Sequence, residues 1–401
     1  MILKGFMSSE KIHIIYLCNA LDSVTRSERS VTLDSPAATN KVFGIAHALL
    51  DQDFDVHLVS LGKGRQTGSG IKYPSRTKTI NEIKIHYAAF WQIKWITHFV
   101  ATFSLTSAVR KIMSMFSGKI IVIAYNRLWQ YLPALIYAKI HGAELFLDLE
   151  DGPIASGWFI GRLKDSFSKY LFGSLCNKGA IIVAKNLANQ IWSRHTYVCY
   201  GTTEIQNIDD TKWSKRPITI LFGGTLIPET GVHLFMDSIA WLEQHMPELK
   251  EKITFSVTGQ GLLSGKLFDF SKTAGRGWIS FLGTVDRETY FSEITKAQIG
   301  LNLRVTSSEM GKTTFPSKVL EYASYGLAII STRVSDVPDL LDDHSAIFLP
   351  QETPENLAII FKNVASEFYD LKSIGHAGQN RVNSVCNREV VGAGLKQFLL
   401  E

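Results

Sequence analysis

Lys318 and Glu321 stand three residues apart, just after Pro316 and shortly before Gly326. Proline suits the first position of a helix and glycine its end, so the spacing predicts a short helix with both side chains on one face near its positive N-terminus. A diphosphate can dock at such an end, and a carboxylate beside it can accept from sugar hydroxyls. An isolated K-x-x-E pair is also what a solvated helix face shows, where it contributes roughly a few tenths of a kcal/mol.

Two glycine loops accompany this pair. Gly223-Gly224-Thr225 and Thr258-Gly259-Gln260-Gly261 each follow a β-branched run. They either present backbone N–H groups to a phosphate or merely make tight strand-to-helix turns. Neither is a GxxxxGK[ST] loop, so ATP hydrolysis is not indicated, and a dinucleotide fingerprint is also absent. In the first half, Asp148-Leu149-Glu150-Asp151-Gly152 ends a predicted strand. Glu150 or Asp151 there can orient an acceptor or a sugar, or the segment is a strand-end turn that caps a helix. The four cysteines are far apart and the histidines lack ligand spacing, which points to no zinc site and no disulfide framework. His47, on an apolar helix, reads as a packed core residue.

The elements that must position these residues alternate between short β-branched runs and longer helical patterns, as parallel α/β sheets do. A chain of 401 residues, 45% hydrophobic and 20% charged, is long enough for two cores. Strands are expected at 11–18, 55–61, 82–89, 119–124, 143–149 and 180–184. After a polar connector at 200–216 that ends in Pro217, they are expected at 218–222, 253–258, 279–282, 299–303, 328–331 and 346–349. A helix opens at Pro36, and 62–76 reads as a polar loop. The expected organisation is an N-terminal domain over 1–205, a C-terminal domain over 206–385, and a final helix over 386–401.

No leader-like start and no long uncharged apolar window occur, so a cytoplasmic protein is expected. The net charge is only +5, but residues 83–143 contain no Asp or Glu and seven Lys or Arg. Average composition would place about five or six acids there. Trp91, Trp95, Phe99 and Phe103 recur every four residues near Lys94, Arg110 and Lys111. A helix there would carry an aromatic stripe. Peripheral contact with the anionic inner face of a membrane is the expectation, with a buried helix as the alternative.

The stretch PSKVLEYASYGLAIISTRVSDVPDLL resembles the donor-site motif of group 1 glycosyltransferases, the retaining GT-B family. LFGGTLIPETGVHLFMDSI resembles that family's glycine loop and following helix, VTGQG its next loop, and ISFLGTV the segment beside the nucleotide base. Together these cover about residues 217–350. The resemblance implies an α/β, GT-B architecture: two Rossmann-like doubly wound parallel-sheet domains facing a central cleft, with the final helix packing back on the first domain. It implies retaining, hexosyltransferase-like transfer from a nucleotide-diphosphate sugar to a glycan or lipid-linked acceptor in polysaccharide or glycoconjugate biosynthesis. No metal, other cofactor or nucleic acid is implied.

By the same resemblance Glu321 binds the ribose hydroxyls, amides around Thr314, Phe315, Pro316 and Ser317 face the phosphates and transferred sugar, and Lys318 lies nearby. Gly223, Gly224, Thr225 and Gly259 line the loops. The chain departs from the family at Thr313, where an acid is usual, and at Thr225 and Thr230, where basic residues are common. Diphosphate charge then falls to Lys318, Arg304 or backbone amides. Glu150 and Asp151 are the implied catalytic-side residues. Two rival readings remain: a GT-B nucleotide-sugar epimerase, and a decayed donor site that serves partner binding.

Overall fold

The computed structural model describes residues 11–66, 70–93, 96–152 and 159–401. The chain divides into two compact units, residues 1–202 with 388–401, and residues 203–387.

The first unit is built on an eight-stranded sheet. Its strands in chain order are β1 (His13–Cys18), β2 (Asp55–Ser60), β3 (Arg76–Ile80), β4 (Ile83–Tyr87), β5 (Ile120–Tyr125), β6 (Glu144–Leu149), β7 (Gly179–Ile182) and β8 (Thr196–Val198). Their spatial order is β8-β7-β6-β5-β1-β2-β4-β3. All pairings are parallel except the β3–β4 hairpin. Every side chain of β1 is buried, as expected for a central parallel strand covered on both faces. Helices α1 (Pro36–Leu50), α2 (Ile96–Met115), α3 (Leu132–Ile140) and α4 (Phe159–Leu175) provide much of this cover. The Ser35 hydroxyl accepts from Ala38 N, and Pro36 occupies the first turn of α1, as the sequence predicts. The C-terminal helix Arg388–Leu400 joins this unit. Its Val391, Leu395, Phe398 and Leu399 are buried in the same core as α1, and Gly392 lies against the Ala48 carbonyl.

The expected helix through Trp91 and Phe103 begins later. Phe90–Trp91 is a short strand antiparallel to Lys72–Tyr73, held by Trp91 Nε1 donating to Gly70 O at 3.0 Å. Trp91 is therefore not part of the stripe, and Lys94 and Trp95 lie outside the described residues. The loop expected over 62–76 also contributes short strands, at Arg65–Gln66 and Lys72–Tyr73.

The second unit holds β9 (Ile218–Thr225), β10 (Ile253–Gln260), β11 (Ile279–Gly283), β12 (Ile299–Asn302), β13 (Ala328–Ser331) and β14 (Ile347–Phe348). The order β11-β10-β9-β12-β13-β14 is wholly parallel and doubly wound. All six strands match those predicted. Around it pack helices that include α5 (Val232–His245), α6 (Arg287–Lys296), α7 (Ser317–Ser324) and α8 (Pro354–Ala365). Phe235, Phe255, Phe361 and the fully buried Trp278 fill the core between α5, α8 and the sheet.

Candidate donor site

The site grows from the carboxyl ends of β9 and β10, where parallel sheets place their ligands. These two strands stay in register through Gly223 opposite Thr258 and Gly224 opposite Gly259. A Cβ on Gly259 would sit 1.8 Å from the Gly224 carbonyl oxygen, and both residues hold left-handed φ, 132° and 131°. Only glycine lets the two loops approach this closely. A side chain on Gly223 would meet the hydroxyls of Thr258 and Tyr322 at 3.0 and 3.1 Å.

Helix α7 faces these loops. Pro316 is its N-cap and offers no side-chain cap, so the amide end of the helix is closed by nothing of its own. The helix ends with Gly326 at φ +62°, the left-handed position that glycine takes most easily. Its last turn is fixed from outside. Lys212 Nζ donates to the carbonyls of Tyr325 and Gly326 at 3.1 and 3.3 Å, and Gln379 Nε2 donates to Ser324 O at 2.9 Å. Burial pushes the Lys212 amine down to about 8.

From α7, Lys318 Nζ lies 2.6 Å from Glu321 Oε2 and 2.6 Å from the Tyr290 hydroxyl oxygen, and Tyr290 donates to the same Glu321 oxygen at 3.0 Å. Tyr290 comes from α6, whose start is set by Asp286 accepting from Thr289 N at 2.7 Å. Burial first, then Tyr322 and Glu321, push the Tyr290 phenol well above its ordinary value, so it remains a proton donor. The neighbouring Tyr322 hydroxyl accepts from Gly223 N at 3.0 Å, which ties α7 to the first glycine loop. The Lys318 stem passes that loop, since a Cβ on Gly224 would lie 3.6 Å from Lys318 Cε. Lys318 and Glu321 are each about 30% exposed, so the pair is neither sealed in the core nor freely solvated.

The structure thus brings Gly223, Gly224, Gly259, Lys318 and Glu321 together and adds Tyr290 and Tyr322. Other predicted residues serve differently. The Arg304 guanidinium donates to Thr314 O at 3.1 Å and to the Thr314 hydroxyl, holding the segment that enters α7. The hydroxyls of Thr313 and Thr314 turn back onto Glu309 O and Met310 O, in the short helix Glu309–Thr313. Phe315 and Pro316 are buried and Ser317 is exposed. Thr225 is exposed, and its carbonyl accepts from the Thr230 hydroxyl at 2.7 Å.

In the N-terminal unit Glu150 follows β6 and forms a buried ion pair with Lys41, which also donates to Cys199 O at 2.8 Å. Burial and Asp148 push the Glu150 carboxyl up against the pull of Lys41, while both acids hold Lys41 protonated. Asp148 is fully buried and accepts from Tyr16. Asp151 is exposed and accepts from Asn126 Nδ2 at 3.2 Å. Of the two acids expected to meet a substrate, Glu150 is committed to a buried partner and Asp151 faces outward.

Among the described residues no cluster of His, Cys, Asp and Glu could hold a metal ion, and no helix is long and apolar enough to cross a membrane.

Comparison with known proteins follows this geometry. Residues 217–366 match the family described as "Glycosyl transferases group 1", the stretch that carries the site and the resemblance read from the sequence. The phosphatidylinositol N-acetylglucosaminyltransferase gpi3 subunit of Schizosaccharomyces pombe is 27% identical over 165 residues, 41% of this chain. That match spans only 34% of the relative's length. Among solved structures, Anabaena HepE in complex with UDP and glucose is 12% identical with a TM-score of 0.69, covering 98% of this chain and all of that one. Sucrose-phosphate synthase of Thermosynechococcus elongatus is 11% identical with a TM-score of 0.69, covering 96% of this chain and 98% of that one. The two units have the GT-B fold.

Proposed function

From a chain that carries a group 1 glycosyltransferase domain, we propose a retaining glycosyltransferase that moves a hexosyl group from a nucleoside-diphosphate sugar to a glycan or lipid-linked acceptor. The observation that carries it is the Lys318–Glu321–Tyr290 cluster beside two glycine loops, at the N-terminal end of α7. In this reading the diphosphate draws Lys318 away from Glu321, and the helix end and loop amides share its charge. Glu321 then accepts from the ribose hydroxyls. Transfer needs stabilisation of the departing phosphate more than a strong base, and the cationic helix end supplies it without a metal. UDP and glucose in the Anabaena relative, and the N-acetylglucosaminyl transfer named for the yeast relative, support a nucleotide-sugar donor. Asp151 is the acid we place toward the acceptor.

The reading extends to glycoconjugate assembly in the cytoplasm, with peripheral contact between residues 83–143 and an anionic membrane. The exposed Phe99 and Phe103 support that contact.

Calorimetric titration with UDP and other nucleoside diphosphates tests the site. Glu321→Ala should lose about 1.5–3 kcal/mol of binding, roughly tenfold to more than a hundredfold, and Glu321→Gln less. Lys318→Ala should weaken the diphosphate strongly and the free nucleoside hardly at all. A correctly folded Glu321→Ala within twofold of wild type would remove the assignment. Donor turnover that needs no acceptor would favour an epimerase instead, and binding of no nucleotide a decayed site.

A further inference from the structure

Helices α2, α3 and α4 lie side by side on the first unit's sheet, and each already buries an inner face: Leu105 and Val109 on α2, Leu135 and Ala138 on α3, and Phe172 with the polar Ser168 on α4. Each also carries a second apolar row facing outward. Phe99 and Phe103 lie one turn apart on α2, Ile136 and Ile140 on α3, and Leu163, Phe167 and Tyr170 at the same spacing on α4. Phe103 is 72% and Ile140 75% exposed. A solvated helix keeps its outer face polar, so three adjacent helices with outward apolar rows form a surface awaiting an apolar partner.

Trp129 stands between α3 and α4 and stacks on Phe167, ring centroids 5.7 Å apart. With Leu163 and Lys164 these rings line an open groove of about 520 Å³. The charge around the rows is one-sided. Around them stand Arg110, Lys111, Lys139, Lys164 and Lys169, and the acid Asp165 on α4 is engaged by Lys169 at 3.3 Å and Arg127 at 3.7 Å.

We propose that the outward face of α2, α3 and α4 is an interfacial surface that seats this unit on an anionic phospholipid bilayer. Its apolar rows enter the acyl boundary, and lysines and arginines meet the headgroup phosphates. The proposal rests on the membrane contact included in the proposed function but extends it beyond residues 83–143. The α4 row and the Trp129 groove become its principal wedge. Apolar rows set with basic side chains fit lipid better than a protein partner, whose contact core would be depleted of charge.

The test is sedimentation of the full chain with vesicles of phosphatidylglycerol and phosphatidylcholine, against phosphatidylcholine alone, at low salt. Wild type should bind the anionic vesicles and release them as salt rises. Leu163→Ser with Phe167→Ser should reduce partitioning at least about tenfold, and Lys164→Glu should weaken it too. Thermal unfolding and UDP affinity should stay unchanged, because these side chains are exposed and far in sequence from α7. If wild type binds and the α4 double variant binds equally well, the extension to α4 falls and only the contact through residues 83–143 survives. If nothing binds, both membrane readings fall, while titration with UDP still judges the donor site separately. A concentration-dependent dimer without vesicle binding, lost in the same double variant, would assign the face to a second copy of the chain.

Discussion

The Tyr290 hydroxyl donates to the Glu321 carboxylate at 3.0 Å, across 31 residues of sequence and from a different helix. Lys318 approaches both groups at 2.6 Å, so Tyr290 fixes the positions of the carboxylate and the ammonium. Tyr290→Phe keeps the ring and removes the bond. Nucleoside diphosphate affinity should fall about three- to tenfold, one net hydrogen bond to a charged acceptor being worth about 0.7–1.4 kcal/mol in so open a site. Calorimetry with UDP, with the melting temperature as control, measures it. An unchanged affinity would make Tyr290 a packing residue only.

Gly259 provides a test of the loop scaffold. With φ at +132° and a would-be Cβ 1.8 Å from Gly224 O, Gly259→Ala must push β9 and β10 apart where they stay in register. We expect destabilisation of about 3 kcal/mol or more, from backbone strain plus the clash. Chemical denaturation should report it in the unit spanning residues 203–387. Gly265, whose added Cβ meets nothing within 4 Å, is the matched control, where alanine should change stability by less than about 1 kcal/mol.

The second unit was legible because its strands are short, largely apolar runs and the carboxyl ends of β9, β10 and β11 carry glycines, signals local in sequence. Lys318 and Glu321 were legible for the same reason, being one turn apart. Tyr290 was not, since nothing local marks a tyrosine 31 residues upstream as their partner. Lys41 and Glu150 are 109 residues apart, so the ion pair that occupies Glu150 left no trace in the DLEDG stretch. Trp91 had the right spacing for a helical stripe, but its pairing with Lys72 across a two-residue strand overrode the period. The exposed row on α4 lies beyond Glu144, which closes the acid-free stretch, and Asp165 among Lys164 and Lys169 masks the charge bias of that helix in the sequence.

The lower end of the first sheet predicts acid sensitivity. His57 Nδ1 and His86 Nε2 are 3.3 Å apart, and His57 Nε2 is 3.2 Å from Asp55 Oδ2. Burial, then His57, Lys111 and Lys84, push His86 down to about 4, and burial also lowers His57. Between pH 6.5 and 4 the unfolded chain therefore binds protons that the folded chain refuses, so stability rises with pH across this window and falls on acidification. After allowance for partial exposure, the His86 contribution should be about 1–2 kcal/mol. Denaturation at pH 7 and pH 4.5 should show that difference shrink in His86→Phe. An equal loss in both proteins would place the acid sensitivity elsewhere.

The buried pair Lys41–Glu150 separates a structural role from a chemical one. Their side chains are 8% and 11% exposed, and removing either leaves an uncompensated charge, so Lys41→Met or Glu150→Leu alone should cost about 3–5 kcal/mol. The double variant Lys41→Met with Glu150→Leu removes both members of the pair but leaves buried Asp148 with Tyr16 and without the ammonium, so it should recover only part of that loss. Turnover with a nucleotide sugar then discriminates. If Glu150 only shapes the end of β6, the recovered double variant keeps its rate to within a few fold, while Asp151→Ala, exposed and outside the core, loses rate without losing stability. A double variant that is fully refolded yet a thousandfold slower would return the Lys41–Glu150 pair to the reacting centre.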